Sequence, residues 1–174
     1  MYKFARSAFA AVAFLTLIEN AKPSAIDISS LIEESQLIVC GKISKIRCYT
    51  DDRKRLITSA EISVTETWKG RLNEKIINVI QPGGVLGSIM QKNKNQKLFK
   101  RGDKAALFLV KNKKNNWIIV SLWQGHFDIK KSLSKPTDGI EIASNNGFAQ
   151  LNANGMTLPL KDLKGLVQKE VQSK

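Results

Sequence analysis

The chain has 174 residues, with 28 lysine or arginine residues against 15 aspartate or glutamate residues, and its formal net charge at pH 7 is +13. This length suits one compact domain with a processed segment, and the charge favours an anionic partner. The chain has one histidine and two cysteines. Zinc needs more ligands than such a chain can readily assemble, and catalytic triads need a histidine held by partners.

The first residues have the pattern of a secretory signal. Lys3 and Arg6 precede an uncharged run from Ser7 to Ile18, and the small residues Ala21, Ser24 and Ala25 follow it. The run is shorter than the about 20 apolar residues of a transmembrane helix. We predict a signal peptide at residues 1–25 and a periplasmic or secreted mature chain without a transmembrane segment. A buried N-terminal helix is the alternative.

A short helix and a long strand are predicted next. Ser30 and Glu33 have the spacing of a capping box, which predicts a helix from about Leu31 to Gln36. The following run, Leu37 to Tyr49, is typical of a strand. Its apolar positions move from one face to the other after Ile43, and this change of phase predicts a β-bulge.

The clearest strand is Leu56 to Trp68, where apolar and polar residues alternate, and Lys75 to Gln81 forms the next one. The stretch Gln81 to Gly87 (QPGGVLG) then opens a long basic excursion that closes at Asp103. It lacks the lysine and hydroxyl positions of a phosphate-binding loop. We predict a structural bend whose glycines adopt positive φ.

The second half begins with the continuous apolar run Ala105 to Val110, which predicts a strand covered on both faces. Two more strands are predicted at Trp117 to Trp123 and at His126 to Ile129. Residues 139–156 are predicted to form a β-hairpin or to have little order. A last helix is predicted from apolar residues at helical spacing, Leu160, Leu163, Val167 and Val171.

These elements predict a mainly β fold, a small OB-like Greek-key barrel with short N-terminal and C-terminal helices. Residues 26–131 would form the barrel domain, and residues 132–174 a C-terminal extension. An immunoglobulin-like sandwich is the alternative.

The two cysteines, Cys40 and Cys48, lie eight residues apart in one predicted strand. This separation is about 26 Å in a regular strand, whereas bridged Cα atoms lie about 6 Å apart. Two thiols are therefore the default, and a disulfide would require a sharp fold-back.

Six short motifs follow one another in the middle half of the chain: Val39–Ile43, Trp68–Gly70, Pro82–Gly84, Phe99–Asp103, Leu107–Leu109 and Gln124–Phe127. This ordered set resembles a group of uncharacterised exported bacterial β-barrel proteins. The layout is more distantly similar to the OB-like domain of netrins and of the tissue inhibitors of metalloproteinases. Those inhibitors act through an N-terminal cysteine, and this chain has none near its predicted mature start, so the resemblance implies the fold and no activity.

Candidate catalytic groups are sparse. His126, the single histidine, lies in a predicted strand beside Phe127, where an ordinary imidazole is expected. Asp51 and Asp52 lie in a turn rich in arginine and lysine, and Glu61 and Glu66 lie on a strand. Acid–base catalysis would need two of these carboxylates to converge in one cleft.

We therefore predict a non-enzymatic exported binding module with no cofactor and no metal. Its partner would be a protein or an anionic component of the cell envelope. An OB-type nucleic-acid binder, which the export signal disfavours, and a hydrolase with a carboxylate site are the alternatives. The predicted ligand-binding residues come from the excursion between Gly83 and Lys104: Gly83, Gly84, Lys92, Lys94, Lys97, Lys100 and Arg101.

Overall fold

The computed structural model describes residues 27–92, 96–121, 124–130, 148–151 and 157–173. The predicted signal peptide, Lys94 and Trp123 lie outside the described residues. Most of the region 139–156 also lies outside them. In its described part, a strand at 148–151 pairs antiparallel with one at 157–159, which lies just beyond the predicted region.

Helix α1 spans Ile28–Glu34 and begins three residues earlier than predicted. The predicted cap at Ser30 is wrong, and Asp27 caps the helix instead. The Asp27 carboxylate accepts hydrogen bonds from the backbone N–H of Ser29 at 3.0 Å and from the Ser30 hydroxyl at 2.6 Å. A carboxylate is a strong acceptor for the free N–H groups of a first turn, and the Ser30 hydroxyl serves as its donor.

The described residues contain ten strands and a second helix. The strands are β1 Leu37–Thr50, β2 Leu56–Lys69, β3 Ile76–Pro82, β4 Gly84–Leu86, β5 Ile89–Gln91, β6 Lys104–Lys111, β7 Trp117–Ile119, β8 His126–Lys130, β9 Phe148–Leu151 and β10 Thr157–Pro159, and helix α2 spans Leu160–Gln172.

Five of these strands close into a barrel in the order β1-β2-β3-β7-β6, with β6 returning to pair with β1. The pair β3–β7 is parallel, and the other pairs of the barrel are antiparallel. This is a closed, OB-like Greek-key barrel, and the predicted fold class is confirmed.

Strand β1 closes the barrel because it bends enough to pair with two neighbours. Its register against β2 shifts at three points: between Ile38 and Val39, between Cys40 and Gly41, and between Ile43 and Lys45. The last shift confirms the predicted bulge. Gly41 is needed for this close packing, because a Cβ atom there would lie 2.6 Å from the Ser63 carbonyl oxygen. A larger residue would push β1 away from β2.

The core has two parts. One fills the barrel with inward-facing side chains such as Ile62, Val79 and Leu107. The other lies outside the barrel wall, where Phe108 and Phe127 pack under both helices. Strand β6 lies between the two parts, so its Ala105–Leu109 segment is buried on both faces, as predicted.

The last barrel strand is shorter than predicted, and the C-terminal helix buries fewer of its apolar residues than predicted. Strand β7 stops at Ile119, because the chain turns at Ser121, which has a φ of 50°. The N–H of Gly125 bonds back to the carbonyl of Val120 and closes this turn. Helix α2 buries Leu163 and Val167 as predicted, but Val171 is 40% exposed because it lies past the packed part of the helix.

Candidate functional site

One end of the barrel carries an open groove between two loops. The first loop, residues 51–55, joins β1 to β2, and the second, residues 112–116, joins β6 to β7. Between them lies a pocket of about 540 Å³, which adjoins a pocket of about 330 Å³ on the outer face of β1, β2 and β3. Both pockets are lined by Ile80 and Asn116. We call the two together the barrel groove.

The floor of the barrel groove follows from the alternation along β2. Residues at even positions, such as Ala60 and Ile62, face the core, so Ile57, Ser59 and Glu61 face the groove. Ile57 and Ile80 are half-buried and form an apolar floor. In OB folds this face and these two loops bind oligonucleotides and oligosaccharides.

The rims of the barrel groove are held by side chains that bond to their own loops. The Asp51 carboxylate accepts from the backbone N–H groups of Arg53 and Arg55 at 3.0 and 2.8 Å. It also accepts from the Arg55 guanidinium at 2.6 and 2.9 Å. Asn112 does the same on the other rim, where its Oδ1 atom accepts from the N–H groups of Lys114 and Asn116 at 2.9 and 3.0 Å. Such turns restrict both loops.

The charge in the barrel groove is positive. Three carboxylates line the groove: Asp51 is paired with Arg55 and Glu61 with Lys45, whereas Asp52 is exposed and offsets one cation. Within the part of the chain that the structure describes, Arg47, Lys113 and Lys114 have no carboxylate partner. They therefore leave cations for an anionic ligand.

The predicted glycines, Gly83 and Gly84, form the base of a hairpin made of β4 and β5. Their φ angles are 83° and 148°, so the predicted positive φ is confirmed. The Gly83 N–H donates to the Leu56 carbonyl at 2.7 Å, and its own carbonyl accepts from the Thr58 hydroxyl at 2.7 Å. These bonds fasten the hairpin to β2.

Among the described residues, the predicted lysines and arginine lie in three separate places. Lys92 is exposed after β5, whereas Lys100 and Arg101 are exposed in a turn that bonds to Ile43 in the middle of β1. Lys97 forms ion pairs with Asp128 and, at 3.4 Å, with Asp103. Its charge is therefore already neutralised within the fold.

A buried polar cluster surrounds Lys97. His126 is 2% exposed and Asp128 is 3% exposed, and the distance from His126 Nε2 to Asp128 Oδ1 is 3.4 Å. The imidazole ring lies 5.3 Å from the ring of Phe99, centroid to centroid. The adjacent pocket is lined by Lys97, Asp103 and Asp128 but not by His126, so the imidazole is closed off from it. These contacts hold residues 96–103 against the barrel.

Two of the candidate carboxylates, Asp51 and Glu66, have an environment that does not suit a general acid. Hydrogen bonds from Arg55 hold the pKa of Asp51 below its ordinary value. The Lys164 ammonium and the Trp68 indole lower the pKa of Glu66 in the same way. A general acid at neutral pH needs a raised pKa, so neither carboxylate suits that role. No cluster of metal-ligating side chains occurs within the described ranges.

The structure thus points to residues that the sequence analysis passed over: Arg47, Lys113 and Lys114. Lys113 and Lys114 lie in a turn between two predicted strands, which is the ordinary place for solvated charge. A signal was nevertheless present, because in an OB-like order the turn after the first strand and the turn before the last barrel strand lie at the same end.

Comparisons with known proteins give no family for this chain, since no family model matches it and no curated protein resembles it in sequence. Among the described residues, no helix has the length and apolar character to cross a membrane.

Proposed function

We propose that this chain is an exported, non-enzymatic binding module whose barrel groove holds an extended acidic segment of a protein partner. The observation that carries the proposal is the groove itself, with its apolar floor, restrained rims and unpaired cations. Export rests on the N-terminal pattern of residues 1–25. The resemblance to exported bacterial β-barrel proteins belongs to the same proposal.

The lining of the barrel groove favours a polypeptide. Asn78 and Asn116 place amide groups along it, and amides can both donate to and accept from the backbone of an extended chain. Ile57 and Ile80 offer a floor for apolar side chains between the acidic ones. Arg47, Lys113 and Lys114 supply the charge complementarity.

The same lining argues against single-stranded nucleic acid. Proteins that bind single strands stack successive bases on several aromatic rings. Within the described residues, Tyr49 is the one aromatic side chain that lines the barrel groove. Trp117 is half-buried against the barrel core and has the Lys111 ammonium 5.0 Å from its ring centroid.

The first prediction tests the barrel groove with a fluorescent peptide rich in aspartate and glutamate, followed by polarisation at low and high salt. We expect the triple variant Arg47→Ser, Lys113→Ser, Lys114→Ser to bind about tenfold more weakly than the unmodified protein, because three exposed cations contribute a few tenths to about 1 kcal/mol each.

A matched control removes the same charge elsewhere, through Lys92→Ser, Lys100→Ser and Arg101→Ser. We expect it to change the affinity much less, because these residues lie away from the barrel groove. Equal losses in both variants would mean unspecific electrostatics and contradict the proposal. A larger loss of affinity in the control would place the binding site in the segment between Gly83 and Lys104. Tighter binding of an oligothymidine than of the peptide would favour the nucleic-acid alternative.

A further inference from the structure

The hairpin formed by β4 and β5 carries four of the eight exposed large hydrophobic side chains of the described residues. Their exposed fractions are 49% for Val85, 41% for Leu86 and 63% for both Ile89 and Met90. Gly87 and Ser88 alone separate the two pairs. A contiguous exposed apolar cluster of this kind marks a surface that binds a protein or a membrane.

The register of the hairpin places apolar side chains on both of its faces. Val85 lies opposite Met90, and Leu86 lies opposite Ile89. Partners across two strands point to the same face, and neighbours along a strand point to opposite faces. A flat protein surface would cover one face and leave the other in water. A lipid surface surrounds an inserted tip and covers both.

The length of the hairpin sets the depth of such an insertion. Each strand has three residues and therefore spans about 10 Å, which is close to the roughly 5–10 Å that interfacial segments enter. The outer edges of a two-stranded sheet have backbone groups without partners, and these groups keep it out of the hydrocarbon centre. The geometry therefore fits shallow insertion at the boundary between headgroups and acyl chains.

Cations lie at the base of the hairpin. The Gln91 side-chain oxygen accepts from the N–H of Leu56 at 3.0 Å, which brings the base against the loop that carries Arg53 and Lys54. Lys92 follows β5 directly and is exposed. No aspartate or glutamate occurs between residues 75 and 102. Lysines beside an apolar tip attract the headgroups of anionic lipids.

The same charges argue against a second copy of the chain as the partner. A dimer joined at the hairpins would bring together two chains that each have a net charge of +13. The bonds of Gly83 to Leu56 and Thr58 also hold the hairpin on the barrel. The apolar tip is thus presented on a fixed base.

We propose that this hairpin anchors the protein to an anionic lipid surface by shallow insertion of Val85, Leu86, Ile89 and Met90. The base of the hairpin adjoins loop 51–55 at the rim of the barrel groove, but the four apolar side chains do not line the groove. The anchor therefore does not depend on the ligand proposed there.

The test measures binding to vesicles made of equal parts phosphatidylglycerol and phosphatidylcholine. The unmodified chain and the variant Ile89→Ser, Met90→Ser are expressed at full length, and mass spectrometry verifies that both have the same N-terminus. Any contribution of residues 1–25 is then the same in both chains. We expect the variant to bind at least about tenfold more weakly, because two large apolar side chains no longer leave water.

The control variant Leu166→Ser, Val171→Ser removes two exposed apolar side chains from α2, and we expect it to bind like the unmodified chain. The variant Lys54→Gln, Lys92→Gln should lose about fivefold per lysine on these vesicles, and little on phosphatidylcholine alone. Unchanged binding by the Ile89→Ser, Met90→Ser variant would overturn the proposal. So would a lack of binding by the unmodified chain, or a dimer in light scattering that this variant dissociates.

Discussion

At the scale of single residues, Gly84 shows how closely the hairpin is fitted to the barrel. Its φ of 148° lies in a region that L-residues rarely adopt. A Cβ atom there would lie 2.3 Å from the Thr58 hydroxyl oxygen and 2.6 Å from the Cys48 sulfur. Both cysteines are free, and Cys48 is half-buried at this contact. Gly84 is therefore needed for its backbone conformation and for the close packing of the hairpin on the barrel.

We expect Gly84→Ala to lower the free energy of unfolding by about 2 kcal/mol or more, because it adds both backbone strain and a steric clash. Urea unfolding followed by tryptophan fluorescence measures this change.

Gly87→Ala is the control for Gly84→Ala. Gly87 also has a positive φ, 58°, but no heavy atom lies within 4 Å of an added Cβ atom. Its cost should therefore be limited to the about 1 kcal/mol of a left-handed alanine. Equal losses in the two variants would show that strain alone, and not the contact with Thr58 and Cys48, makes Gly84 necessary.

At the scale of elements, the segment 96–103 is held by polar contacts. Gln96 donates to the Pro82 carbonyl, and Gln81 donates to the Lys97 carbonyl. The Lys97 ammonium reaches the buried carboxylate of Asp128 on β8. Phe99 is the apolar member of the segment and enters the barrel core. Together these contacts hold the segment, which is neither helix nor strand, against the barrel.

We expect Asp128→Ala to lower the free energy of unfolding by about 2 kcal/mol, because it removes the buried partner of Lys97 and leaves only the longer ion pair with Asp103. Hydrogen exchange should increase most in residues 96–103.

The comparison for Asp128→Ala is Glu61→Ala, which breaks an exposed ion pair with Lys45. Such pairs contribute about 1 kcal/mol or less. If both variants lowered the free energy of unfolding by the same small amount, the Lys97–Asp128 pair would not hold residues 96–103 against the barrel.

At the scale of the whole molecule, α2 fastens the end of the described chain to the barrel wall. Leu163 and Val167 enter the outer core, and Lys164 forms an ion pair with Glu66 on β2 at 2.7 Å. The folded-state pKa of Glu66 lies below its ordinary value of 4.5, with the hydrogen bond from Lys164 as the largest cause. The pair therefore stabilises the fold above pH 4.5, and this contribution is lost as the pH falls through the lowered pKa.

We expect Glu66→Gln to be less stable than the unmodified protein at neutral pH and equally stable once Glu66 is protonated in both folded and unfolded states. The difference should be below about 1 kcal/mol, because the carboxylate is half exposed and screened by water.

Urea unfolding at neutral pH and at pH values below the lowered pKa measures this difference, and Glu74→Gln at an exposed position serves as the control. A gap that stayed constant across the acid range would show that the ion pair with Lys164 does not stabilise the docking of α2.

The strands β1, β2, β3, β6 and β8 could be predicted from local pattern, because a strand that buries one face must alternate and one that buries both must be apolar throughout. The hairpin of β4 and β5 was missed, since strands of three residues are too short for alternation to stand out. The helix cap was misplaced because Asp27 and Ser30 are both good caps, and one stretch of sequence does not rank them.

The candidate site depended on closure of the barrel. Tyr49, Ile80 and Lys114 are far apart in the sequence, and they share one groove because β3 pairs with β7 and β6 returns to β1. The pattern of apolar and polar residues depends on burial along one segment, and so it predicted the strands and the barrel class. The positive charge followed from composition. Long-range pairing decides which loops meet, and it separated the predicted lysines and brought Arg47, Lys113 and Lys114 to one surface.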